Sequence, residues 1–536
     1  MRQFDYDYII IGSGFGGSVA AHRLTEKGYS VAVIEMGRRW APEDFPKSNW
    51  DARKYMWNPS AKMFGFYSMR LFRHMLVARG HAVGGGSIAY ANALYRPADK
   101  IWDTGSWAGL RDWKTIMPQH YAEAERMLGV TPSKILGEAD HRLKRMAALR
   151  GVEDTFAPPP VAVFFAPKGG EQSKTYPDPY FGGEGPARGA CNGCGGCLIG
   201  CHNNAKNTLD KNYLYLAEKR GAKVIDETRV VDVVPINGAA DGGDAYEIST
   251  VPSIAKKGRT RQVLRSRGVI FAASSVGTTE LLLRLKEKGS LPRISDELGK
   301  RIRTNSESIM GIRFPKGDVS MSPGLAGGAS IYLDDKTHIG VVRYPEGSDA
   351  LGLIMTLMSG GPAGWRRIGG WLWQQLRDPK RALRMYNPFG FARQTMLVLV
   401  MQSLDAHVDM RLKRRWFWPF GKAMVTEGDA IPASIPVAND FVRDGAKLLG
   451  GVPMTFLTEV LFDIPTTAHC MGGCAMATTP DRGVIDSRNR VFGYDNMLVC
   501  DGSVLSANLG VNPSLTIAAL TEAAMSEIPA ATAPVN

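Results

Sequence analysis

Tyr8-Ile9-Ile10-Ile11 is an unbroken apolar run of strand length, and Gly12-Ser13-Gly14-Phe15-Gly16-Gly17 follows it directly. Apolar and small residues then recur at helical spacing through Val19, Ala20, Ala21 and Leu24 as far as Gly28, which predicts a helix. A second buried strand is predicted for Val31-Ala32-Val33-Ile34, and it delivers Glu35 18 residues after Gly17. Strand, glycine turn, helix and strand in this order make a βαβ unit. The G-x-G-x-x-G spacing lets a pyrophosphate rest on the helix N-terminus, while the acid at the end of the second strand takes ribose hydroxyls. The alternative is a glycine-rich turn in an ordinary parallel sheet.

Beyond Gly37 the pattern loosens, then Gly84-Gly85-Gly86-Ser87 forms a second glycine cluster able to bring backbone N–H groups against a phosphate or flavin. Helical periodicity dominates residues 107–149, and residues 157–190 are rich in Pro and Gly and read as a surface excursion. Strands are predicted at 223–225, 230–234 and 268–273, the last leading into a helix through Glu280. Residues 313–465 mix strands with long loops, as a second sheet would. Met497-Leu498-Val499-Cys500-Asp501 is a last strand, running into Gly502 and a final helix. No internal repeat is found.

Composition narrows the class. With 536 residues, 44% hydrophobic and 22% charged, the chain is neither disordered nor fibrous. The net charge of +13 suits an anionic cofactor, an acidic membrane surface or nucleic acid. No compact recognition module accompanies the charge, so nucleic acid is not expected as a partner. The N-terminus carries Asp5 and Asp7 and lacks a signal-peptide pattern, and no apolar stretch approaches spanning length. A cytoplasmic protein, peripheral at a membrane, is the expectation. Two stretches support the membrane contact: Trp365 to Trp373, and Arg411 to Phe420, each interleaving aromatic with basic residues. Aromatic core positions beside solvated cations are the competing reading.

Seven cysteines, an odd number and bunched, fit poorly with a disulfide framework. Cys191, Cys194, Cys197 and Cys201 have the spacing of an iron–sulfur loop, though His202 stands where a proline commonly follows the fourth ligand. Four thiolates also suit zinc, and a plain reduced loop is the third reading.

Near the C-terminus stand His469-Cys470-Met471-Gly472-Gly473 and, some way on, Gly510-Val511-Asn512-Pro513. Together with the glycine motif ending in Glu35, the 84–87 loop, Tyr180-Phe181-Gly182-Gly183, the 205–209 and 303–308 segments and Asp501-Gly502, they resemble the glucose-methanol-choline (GMC) oxidoreductases over essentially the whole chain. Within that family the chain is most similar to the bacterial cholesterol oxidase branch. The resemblance implies an α/β fold in which a Rossmann-like FAD-binding domain (1–100, 188–312 and 466–536) is interleaved with a mixed-sheet α+β substrate domain carrying cap segments (101–187 and 313–465).

It further implies that Gly12, Gly14, Gly17 and Glu35 hold the ADP part of FAD, that Gly84, Gly85, Gly86 and Ser87 pass over the pyrophosphate and flavin, that Val231 reaches the adenine, and that Asp501 and Gly502 close the far side. His469 and Asn512 match the pair that meets the substrate hydroxyl. The activity implied is hydride transfer from a secondary hydroxyl of an apolar, sterol-like alcohol to flavin N5. One departure concerns the base that shifts a ring double bond in sterol oxidases: Leu399 to Ser403 offers Gln402, an amide, so isomerisation is expected to be weak or absent, with Asp405 and Glu307 as the carboxylates left to substitute. Some FAD sugar dehydrogenases of the family resemble the cysteine stretch and hold a cluster there. An iron–sulfur-wired dehydrogenase of another bulky or long-chain alcohol, passing electrons to a protein or quinone rather than oxygen, is therefore the alternative. A non-catalytic flavin- or metal-binding protein is the alternative of a different class, against which the intact His469 and Asn512 argue.

Overall fold

The computed structural model describes residues 4–236, 238–254, 260–360, 364–415 and 418–532, so Trp416 and Phe417 of the second basic-aromatic stretch lie outside the described residues. Two sheets organise the chain. The first has seven strands in the order Lys223–Ile225, Val31–Ile34, Tyr6–Ile11, Gln262–Phe271, Tyr246–Pro252 and Thr228–Pro235, with Met497–Val499 pairing beside Gln262–Phe271. Its first four strands and Met497–Val499 run parallel. Parallel strands are covered on both faces, which is why they read as unbroken apolar runs. Ile9 and Ile11 face a core that includes Trp107 and Trp113, whereas Tyr8 and Ile10 pack with Ala20, Ala21 and Leu24 of the helix Phe15–Glu26.

The second sheet is antiparallel throughout, in the order Gly327–Tyr332, Thr337–Val342, Thr395–Gln402, Ser308–Arg313, Val452–Phe456 and Met355–Leu357. Alternation along its strands sorts the side chains. Met310, Ile312, Val398 and Val400 meet Leu143 and Met146 of the helix Glu138–Ala148 and Phe441 and Val442 of the helix Pro436–Leu449, and Ile309, Leu397 and Leu399 point the other way, into the central cavity. A buried ion pair locks helix to sheet: Asp140 and Arg343, 0% and 1% exposed, lie 2.7 Å apart, and Asp140 also accepts the N–H groups of Gly137 and Ala329.

Two expected boundaries move. The strand Ser308–Arg313 belongs to the antiparallel sheet, so the change of sheet falls before Ser308 rather than at 312. Segment 101–187 divides as well: Trp102, Trp107 and the helix Trp113–Leu128 complete the core under the seven-stranded sheet, whereas the helix Glu138–Ala148 and the residues after it to Ala157 pack on the antiparallel one. Three tryptophans packing together, with Trp102 stacked 5.7 Å from Trp113, draw the first part inward. No described helix is long and apolar enough to cross a membrane.

Candidate active site

The carboxyl ends of the central parallel strands, at Ile11, Ile34 and Phe271, open on a cavity of about 1030 Å³ that continues to the antiparallel sheet. A single small-molecule site occupies roughly 300–1,000 Å³, so this space suits a cofactor with a substrate beyond it. The cofactor end is built as the motif requires. Gly12, Gly14, Glu35, Gly85, Gly86, Asp501 and Gly502 line it, and so does Val231. The strand Thr228–Pro235 slips its register between Val230 and Asp232, and this bulge turns Val230 and Val231 together toward the cavity. Glu35 accepts the N–H of Ser13 at 3.0 Å and that of Gly37 at 2.8 Å. Burial pushes its carboxyl upward from the usual range, and these donors pull the other way. Asp501 is likewise raised by burial, against hydrogen bonds from Ser503 and Thr278.

Three expected contacts fall elsewhere. Gly17, Gly84 and Ser87 are not among the cavity's lining residues. A Cβ on Gly17 would lie 2.0 Å from the Gly12 carbonyl oxygen, so this glycine serves close packing of helix on turn. Its neighbour Gly16 does line the cavity, and there a Cβ would fall 1.6 Å from the Cys500 oxygen. Ser87 closes its loop from within, donating to the Gly84 carbonyl at 2.6 Å and accepting the Leu209 N–H at 3.0 Å. Spacing alone does not separate glycines that touch a ligand from glycines that let backbone touch backbone.

The cavity wall fits FAD by a separate observation. Arg79 and Tyr90 both line it, and the buried Arg79 Nε and Tyr90 hydroxyl have no hydrogen-bond partner among the described residues. Burial lowers the Arg79 guanidinium to about 10, which keeps it cationic at neutral pH. A half-buried cation, the N-terminus of the helix Phe15–Glu26 and glycine backbone on two sides make a cradle for an anionic dinucleotide.

At the far end His469 and Asn512 converge, with Asn512 Nδ2 3.0 Å from His469 Nε2. The segment 303–308 explains how chain positions so far apart meet. Arg303 exchanges backbone hydrogen bonds with Met471. Asn305, in the left-handed region with φ 63°, donates to the Val511 carbonyl at 2.9 Å and accepts the Gly510 N–H at 2.8 Å, fixing the loop that carries Asn512. Glu307, 1% exposed, accepts the Ala468 N–H at 3.0 Å and hydrogen-bonds His469 Nδ1.

A carboxylate on Nδ1 holds the proton there and leaves the Nε2 lone pair facing Asn512 and the cavity. The triad can therefore hold a hydroxyl between an acceptor and an amide donor.

The strand expected to supply an amide in place of a base does not. Gln402 donates from Nε2 to Thr337 Oγ1 at 2.8 Å and is not among the lining residues. Leu397 and Leu399 are the residues of that strand that line the cavity, because the two-residue alternation is set by pairing with Ser308–Arg313. Asp405 is 73% exposed and paired with Arg303. Glu307 is thus the carboxylate beside His469 in the cavity, and Cys470 also lines it.

Cys191, Cys194, Cys197 and Cys201 do gather, around a space of about 20 Å³ shared with Lys206. That is room for about one water-sized group and too little for a cluster of irons and sulfides. Among the described residues no set of three or more His, Cys, Asp or Glu side chains is placed to hold a metal ion. The expectation of an iron–sulfur or zinc site finds no support in this arrangement. The loop is organised instead by hydrogen bonds: the Gly193 N–H reaches Cys191 Sγ, the Ala205 N–H reaches Cys201 Sγ, and Lys206 Nζ donates to the carbonyls of Ile88, Tyr90 and Cys197. Burial pushes the Cys191 thiol up to about 12, so it stays protonated.

A dinucleotide cradle joined to an apolar chamber whose inner end carries a histidine, an asparagine and a carboxylate defines a cofactor-dependent oxidoreductase of hydroxyl groups. Comparison with known proteins agrees. Models of the GMC oxidoreductase family match residues 185–290 and 430–521, and an NAD(P)-binding Rossmann-like model matches residues 10–41.

The chain is 61% identical to a cholesterol oxidase of Acinetobacter baumannii over 99% of its own length and 95% of the relative's. It is 43% identical to a cholesterol oxidase of Mycobacterium tuberculosis (strain ATCC 25618 / H37Rv), covering 97% of this chain and 91% of that one. Its fold matches pyridoxine 4-oxidase from Mesorbium loti with a TM-score of 0.61 at 14% identity, over 97% and 98% of the two chains. The chain belongs to the GMC oxidoreductase family and is an FAD-dependent oxidoreductase acting on CH–OH donors.

Proposed function

We propose that this enzyme oxidises the secondary hydroxyl of a bulky, sterol-like alcohol to the ketone, with oxygen taking the electrons and hydrogen peroxide leaving, and with little or no double-bond shift. The observation that carries this reading is the chamber facing His469 and Asn512, which is walled by Ile309, Leu397, Leu399, Val342 and Phe456. Such a wall rewards an apolar ring system and offers it few polar partners. The two cholesterol oxidases similar to the chain nearly end to end support the same substrate class.

Bound FAD supplies the hydride acceptor. The protein's own part is to ready the alcohol: His469 Nε2 takes the hydroxyl proton, Asn512 donates to the oxygen as charge builds on it, and Glu307 keeps the imidazole in the receptive tautomer and stabilises its charged form. Leu397 and Leu399 exclude water and contain no base. Glu307 is engaged by His469, which favours ketone release before isomerisation. Replacement of His469 by Ala should leave FAD bound and slow anaerobic flavin reduction by a sterol about 10²–10⁴-fold. Unchanged reduction would remove the histidine from the reaction. Peroxide formation with a sterol but not with a linear long-chain alcohol is the expected specificity, and the reverse would overturn the substrate class.

A further inference from the structure

The helix Trp365–Arg377 faces the wrong way for a helix on the surface of a protein in water. Its inward side is polar: Arg367 is buried, donating to the Glu459 carbonyl at 3.0 Å and pairing with Asp463 at 2.6 Å, and the Trp371 indole N–H donates to Thr356 Oγ1 at 2.8 Å. Its outward side sets large apolar groups, Trp365, Trp373 and Leu376 exposed at 77%, 64% and 75%, among the exposed Arg366, Gln374 and Arg377. The helix that follows, Pro379–Tyr386, buries Ala382 and Met385 and sends Leu383 outward at 77% exposure. Large apolar groups clustered in this way mark a contact site rather than ordinary surface.

Two further observations choose the occupant. The apolar surface continues to the mouth of the cavity: exposed Phe389 stacks on Trp50 with ring centroids 6.1 Å apart, and Trp50 and the exposed Leu353 both line the chamber. The same span, residues 365–386, contains five basic residues besides the inward Arg367, against one acidic, Asp378. Tryptophan and leucine beside arginine on short helices, none long enough to span, suit the boundary between headgroups and acyl chains of an acidic bilayer.

We infer that the paired helices 365–386 dock this enzyme on an acidic phospholipid membrane, with the cavity mouth on the docked side. That the mouth would receive its apolar substrate directly from the bilayer rests on the function proposed above; the docking itself does not.

The test uses the FAD-loaded full chain and vesicles free of sterol, of phosphatidylcholine alone and mixed with phosphatidylglycerol. The native enzyme should sediment with the mixed vesicles, and the W373S/L376S/L383S variant should bind them at least about tenfold more weakly. The R366E/R377E variant should lose the preference for acidic lipid. None of these five residues lines the cavity, so each variant should keep its FAD and its turnover of detergent-solubilised substrate, which also certifies its fold. Equal vesicle binding by native and triple-variant enzyme, or no binding by either, would overturn the inference. So would light scattering that showed the triple variant converting a native dimer to monomers, because the face would then belong to a second copy. Vesicle binding lost in the variant, with no sterol oxidised by any form, would leave docking standing and defeat the substrate reading.

Discussion

At the scale of single residues, the proposed reaction depends on which nitrogen of the His469 imidazole carries the proton. Glu307 on Nδ1 and Asn512 on Nε2 fix that choice from opposite sides. Replacing Glu307 by Gln preserves the volume but removes the charge, and kcat for sterol oxidation should fall about 10²-fold with FAD content unchanged and KM little altered. A fall confined to KM would make Glu307 part of the binding wall instead. Gln402→Glu should create no isomerase activity on a 5-ene-3-ketosteroid, since that side chain meets Thr337 away from the chamber. A gain of conjugated enone would show that the strand can turn its other face inward.

His469 and Asn512 were legible from their motifs. Glu307 was visible only as one carboxylate among others, because nothing in the sequence states that the left-handed turn at Asn305 and Ser306 aims the next residue at the histidine.

Elements were easiest to read where periodicity is strong. Val31–Ile34 lies as the apolar run indicates, and Tyr8–Ile11 sits within the strand Tyr6–Ile11. Which sheet an element joins was harder. Ser308–Arg313 and Trp113–Leu128 both sit across the expected borders, since the strand pairs with Thr395–Gln402 and Val452–Phe456 and the helix packs on Ser514–Ser526, all remote in the chain. The link between Glu138–Ala148 and the antiparallel sheet rests on the buried Asp140–Arg343 pair. Arg343→Met would strand a buried carboxylate and should lower unfolding stability by about 3–5 kcal/mol, read by denaturant unfolding of the holoenzyme. A loss under about 1 kcal/mol would mean that the backbone N–H groups at Asp140 suffice alone.

For the whole molecule, the cysteine loop decides what kind of electron path the enzyme contains. The four thiols surround a space sized for a water, beside Lys206. Protein purified without oxygen should therefore show flavin absorbance alone, and iron and sulfide well below one equivalent per chain. Stoichiometric iron with broad absorbance that bleaches on reduction would restore the wired dehydrogenase.

The sequence by itself determined the local chemistry: the βαβ nucleotide unit, the glycine loops, the His469 and Asn512 motifs and the grouping of four cysteines, all expressed within short stretches whose spacing is their meaning. Only the tertiary structure decided which of those glycines touch the cavity, that Leu397 and Leu399 rather than Gln402 face it, that Glu307 reaches His469, and that the cysteines enclose too little room for a cluster. These outcomes depend on strand register, on the two-residue alternation that register imposes, and on the packing distance between segments remote in the chain.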